Sequence, residues 1–151
     1  MNKFPTDKCR HRFLFSELMF ALEQCRDEIN ELPIPAGTYF DNGSEAIVFD
    51  LGNGTVARVS SYYPSDLPEH RLINQRVTHW RVGDEKIGVT IEIFPKLNVW
   101  KKGMKKDEWI AQARKLEVDL WNDGIEAVDV DYANVGHDDE GTWKIIDPGC
   151  F

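Results

Sequence analysis

Cysteine is scarce in this 151-residue chain, and positive charge is outnumbered. Cys9, Cys25 and Cys150 are odd in number and far apart. They offer neither a disulfide framework nor metal-ligand spacing, which points to a reducing cytoplasm. His11, His70, His79 and His137 are scattered and give no ligand spacing either. The 18 Lys and Arg against 26 Asp and Glu leave a net charge of −8. That balance argues against a nucleic-acid-binding surface and permits a basic protein partner. No apolar run approaches the roughly 20 residues of a membrane span. The opening Met1-Asn2-Lys3-Phe4-Pro5 has no signal-peptide apolar region, so a cytoplasmic protein is expected. Nucleophile elbows, internal repeats and low-complexity tracts are all lacking.

What is present reads as one α+β chain with a real core. Leu14, Leu18, Leu22, Cys25, Ile29 and Leu32 recur at steps of three and four. This predicts a helix that starts near Asp7 and is stopped by Pro33 and Pro35. Residues 37–40, 46–51 and 55–60 alternate and are separated by polar, glycine-bearing turns, which predicts three strands. A helix is expected over 69–79, then strands over 80–82 and 87–94. A lysine-rich connector (Lys101, Lys102, Lys105, Lys106) leads to a helix from Asp107 to about Asn122, with Asp107 as its cap. Trp109, Ala113, Leu116 and Leu120 share one face of that helix, and Gly124 follows its end. Short strands at 127–128 and 143–146 flank a turn at 136–141. The expected sheet is antiparallel and five-stranded. No βαβ alternation exists.

The last quarter carries the chemistry. Asp129 is followed five residues later by Asn134, and thirteen residues after that comes Asp147-Pro148-Gly149 at the end of an apolar strand. A carboxylate, an amide and a second carboxylate on adjacent turns can orient a hydroxyl and hold Mg²⁺ on a phosphate chain. Asp131 lies on the same loop and competes with Asp129 for the role of base. The same residues are also ordinary turn formers, and Asp147-Pro148-Gly149 alone reads equally as a β-turn.

With the strands before it, this spacing resembles protein-kinase-like and aminoglycoside-phosphotransferase-like domains. It is most similar to the small kinase-like proteins of lytic bacteriophages. The resemblance covers residues 37–151. It implies an N-terminal helical extension over 1–36, a small lobe over 37–98 and a truncated second lobe over 99–151. It also implies Asp129 or Asp131 as catalytic residue, Asn134 and Asp147 as metal ligands, and ATP with Mg²⁺ as cofactors. Val89 to Pro95 is similar to the last small-lobe strand and hinge, whose backbone would meet adenine between Glu92 and Phe94. The glycine-rich loop is represented by Gly43 and Ser44, with Asp41 and Ala46 at the other glycine positions. The third strand carries Val56-Ala57-Arg58-Val59, where the family has a lysine at the last of these positions. Arg58 takes that role only with a slip of one residue, which reverses a strand side chain's face. Glu69 is the local candidate for the acid that pairs with it, or else it favours the helix dipole. The implied function is Mg-ATP-dependent phosphate transfer to a protein hydroxyl. The alternative is a degenerate relative that binds and inhibits a host enzyme or defence protein.

Overall fold

Alternation of apolar and polar residues from Thr38 onward produces the largest element, a five-stranded antiparallel sheet. The strands are β1 (Thr38–Asn42), β2 (Ala46–Asp50), β3 (Thr55–Ser60), β4 (Thr78–Gly83) and β5 (Gly88–Pro95). Their order is β1-β2-β3-β5-β4, so β5 is inserted between β3 and β4. The computed structural model describes residues 2–64 and 66–151. The chain divides into two compact units: Met1–Pro64 with Arg76–Pro95, and Ser65–Gln75 with Lys96–Phe151.

In the first unit, Ile47, Phe49, Ala57, Val59, Val89, Ile91 and Ile93 form one apolar sheet face. The leading helical segment covers that face through Phe15, Leu18, Ala21, Leu22, Cys25 and Ile29. The segment is not one continuous helix. A 3-10 turn at Arg12–Phe15 leads into α1 (Ser16–Gln24), and α2 (Arg26–Glu31) follows after Cys25. The tighter turn shifts the period, so Phe15 is buried in place of the expected Leu14, which is exposed. Leu32 is extended ahead of Pro33, as the residue before a proline prefers. These helices share a core with the sheet, so residues 1–36 are part of the first unit rather than a separate extension.

The helix expected over 69–79 does not form. Asn74 N–H donates to the Ile145 carbonyl, and Ile145 N–H donates to that of Leu72. The segment therefore runs parallel to Ile145 as a single bridge. Its apolar residues Leu72 and Ile73 enter the second unit's core.

That core is built on α3 (Asp107–Asn122), whose Trp109, Ala113, Leu116 and Leu120 are buried together. Asp107 is not the cap. Lys106 is, without a side-chain bond, and Asp107 and Glu108 occupy the first turn, where they favour the dipole. A small sheet of β6 (Asn98–Val99), β7 (Val135–His137) and β8 (Trp143–Ile145) completes the unit. The short strand expected at 127–128 is irregular. The fold class is α+β, with an antiparallel five-stranded sheet.

Candidate functional site

Residues 128–150 fold back on themselves through a closed set of hydrogen bonds. Asn134 Nδ2 donates to the Asp129 carbonyl at 2.8 Å. Ile146 N–H donates to the Asn134 carbonyl at 2.8 Å, and Val128 N–H to that of Cys150 at 2.7 Å. Asp131 Oδ1 accepts from Ala133 N–H and so caps the 3-10 turn Tyr132–Asn134. Gly149 N–H donates to Asp147 Oδ1 at 2.8 Å. The β7–β8 hairpin supplies the scaffold. Gly136 is required on β7, because a Cβ there would lie 2.8 Å from the Asn98 carbonyl of β6. Asp129, Asn134 and Asp147 are thus tied into one hydrogen-bonded unit at the open end of this hairpin.

Cys150 reports the electrostatics of that end. Its buried thiol is pushed up to about 12, first by burial and then by Asp147, Asp131 and Asp129, with the Asn134 side chain opposing. Three carboxylates therefore act on one sulfur. The thiol also points at the Asp129 carbonyl, 3.9 Å away.

The three acids are not equivalent. Asp131 gives Oδ1 to its cap. Asp129 is exposed and has a positive φ of 52°, a conformation non-glycine residues adopt at a cost. Because Asn134 uses Nδ2 on the backbone, Oδ1 is its remaining ligand atom. Asp147 uses Oδ1 on Gly149, which leaves Oδ2. One amide and one carboxylate oxygen suit a hard cation whose other ligands are water and phosphate. Among the described residues, no group of three His, Cys, Asp or Glu side chains is arranged to hold a metal by itself.

In the first unit, Gly43 and Ser44 lie in the β1–β2 turn, where Gly43 N–H donates to the Ala46 carbonyl. Gly43 has neither a positive φ nor any neighbour that a Cβ would touch. Asp41 is held by Arg10 at 2.5 Å, which offsets its charge beside the turn. Buried Asn42 pins the same corner, accepting from Arg10 N–H and the Tyr39 hydroxyl and donating to the Arg10 carbonyl.

Arg58 and Val59 point to opposite faces of β3. Val59 is buried in the helix-covered core, while Arg58 Nη1 donates to Glu92 Oε1 at 3.2 Å. Arg76 Nη1 holds the other oxygen, Oε2, at 2.9 Å. Glu92 is therefore the acid that pairs with Arg58. Glu69 is exposed and starts no helix. The expectation that backbone between Glu92 and Phe94 stands open as a hinge is also corrected. Glu92 lies mid-strand between Arg58 of β3 and His79 of β4, and buried Phe94 pairs with Val56. Sequence reasoning missed Arg76, Arg10 and Cys150. One signal was available: a glutamate inside the apolar run 89–94 requires cationic partners.

No protein-family model matches the chain, and the curated proteins contain no match to it.

Proposed function

We propose that the chain is a minimal kinase-like phosphotransferase that moves phosphate from Mg-ATP to a protein hydroxyl. The observation that carries this reading is the closure of the 129–134 loop on itself and on the hairpin end. The bond from Asn134 Nδ2 to the Asp129 carbonyl ties the backbone that carries an exposed carboxylate to the amide side chain. The Ile146 to Asn134 bond brings the Asp147 turn to the same place.

In this reading Asp129 orients the acceptor hydroxyl and receives its proton. Its carboxylate is exposed, and among the described residues no side chain pairs with it. Asn134 and Asp147 supply oxygens to Mg²⁺, and the bound ion would neutralise charge on the phosphates. Asp131 gives Oδ1 to its cap and keeps Oδ2, so it stays the alternative base on the same loop. In the first unit, the β1–β2 turn offers phosphate the Ser44 backbone N–H, since that of Gly43 is already given to the Ala46 carbonyl. A glycine that neither φ nor packing requires fits close approach by a ligand.

A second reading is a degenerate kinase-like protein that acts by binding another protein. Arg58 favours it, because that cation is engaged by a buried acid and the strict lysine position holds core residue Val59. Thermal unfolding with and without Mg-ATP, followed by transfer of labelled phosphate to acceptor proteins, separates the two. A shift in Tm with transfer, lost in Asp129→Asn and Asp147→Asn, supports the enzyme. The absence of both at saturating nucleotide rejects it.

A further inference from the structure

The lysine connector stands out in a chain with net charge −8, because four of its six residues are lysines. It is an ordered turn. Met104 N–H donates to the Lys101 carbonyl at 3.0 Å, and the Trp100 indole N–H donates to the Met104 carbonyl at 3.1 Å. Lys106 folds back so that Nζ lies 4.5 Å from the Tyr132 ring centroid and 5.1 Å from that of Trp100. The two rings meet edge-on at 4.9 Å. Tyr132 belongs to the 3-10 turn between Asp131 and Asn134, so the lysine turn is anchored to the loop that carries Asp129. Lys101, Lys102 and Lys105 remain exposed on the anchored turn.

From this placement we infer that the 101–106 turn docks the substrate of the site beside it, and that the substrate is a polypeptide with Asp or Glu residues flanking its acceptor hydroxyl. The inference rests on the phosphotransferase reading. A peptide fits better than a nucleic acid. The basic stretch is short, exposed Asp107 and Glu108 follow it directly, and exposed Asp131 precedes Tyr132, on whose ring Lys106 lies. A strand with a phosphate at every step would run onto those carboxylates, whereas two or three discrete acidic side chains end within the patch. Lys106 has a different part. Its contact with two rings holds the turn in place.

The test is fluorescence anisotropy with a labelled peptide that carries one serine among glutamates, a twin with glutamines, and a single-stranded oligonucleotide. The glutamate peptide should bind about tenfold more tightly than its twin, and rising salt should weaken it. Lys101→Gln, Lys102→Gln and Lys105→Gln combined should cost roughly tenfold, the sum of three exposed pairs. Lys86→Gln, in the first unit, should cost nothing, and circular dichroism confirms that each variant is folded. Equal binding of the twin, an unaffected triple variant, or an oligonucleotide that binds as well as the peptide would each overturn the inference. Peptide selectivity without phosphate transfer would reject the phosphotransferase reading alone. Transfer indifferent to the glutamates would reject the docking surface alone.

Discussion

Glu92→Gln should be the most destabilising conservative change in the first unit. The Glu92 side chain is 1% exposed, and its oxygens are divided between Arg58 and Arg76, which are 14% and 22% exposed. Glutamine keeps the shape but removes the charge, leaving two guanidiniums against a neutral amide. Breaking a buried pair from one side costs about 3–5 kcal/mol. Both arginines reach some water, which recovers part of their hydration, so the lower end of about 3 kcal/mol applies here. For a chain of this size that corresponds to a fall in Tm of roughly 6–12 °C. Urea unfolding followed by circular dichroism gives the free energy from the midpoint at constant slope. Arg58→Met alone should cost less, because Arg76 still neutralises Glu92. The double variant Arg58→Met with Glu92→Met should recover part of the loss, since an apolar replacement removes the desolvation penalty. A Glu92→Gln protein within about 0.5 kcal/mol of the parent would refute the claim that this carboxylate is held by charge.

Further outcomes follow from local geometry. Asp129→Asn should stay within about 0.5 kcal/mol of the parent in denaturant titration, because Asn tolerates φ of 52°, while Asp129→Val should lose about 1–2 kcal/mol more. Equal stabilities would contradict the left-handed backbone. Burial holds the Cys150 thiol protonated up to about 12, whereas the unfolded thiol ionises near 9.0. The unfolded state then binds fewer protons between these values, so this contribution is complete below pH 9 and is lost as pH rises toward 12. Denaturant midpoints measured across that window should fall less steeply in Cys150→Ala; identical slopes would rule the linkage out. Gly37→Ala should cost about 1–3 kcal/mol, because its Cβ would meet the Phe49 Cβ at 2.6 Å. Gly43→Ala, with nothing within 4 Å, should leave stability unchanged. In calorimetry it should weaken Mg-ATP binding if the turn approaches phosphate.

Elements whose backbone bonds are local were legible in the sequence, and those completed by distant partners were not. The stripe Trp109, Ala113, Leu116, Leu120 is a helix face, and it alone sets α3. Alternation in β2 and β3 likewise identifies which residues face the core. Leu72, Ile73 and Val77 have helix-like spacing, but Leu72 and Asn74 bond with Ile145, more than seventy residues away, and Val77 N–H donates to the Ile93 carbonyl. β6 has two residues and hence no period to read. At the site, the Asp129–Asn134 spacing was readable because a side chain five residues on can reach back to the loop's own carbonyl. The grip of Arg76 on Glu92 depends on β4 and β5 being neighbours, which no local pattern states.

The two functional readings place opposite demands on Arg58, and the way Glu92 is shared bears on the choice. A lone Arg58–Glu92 pair would be locked, since moving the arginine would strand a charge in the interior. Here the oxygens have separate partners, with Arg76 at 2.9 Å on Oε2 and Arg58 at 3.2 Å on Oε1. If either arginine left, Glu92 would keep the other as a positive partner. Because Glu92 divides its oxygens between two cations, the pairing of Arg58 with a buried acid does not by itself decide between the two readings.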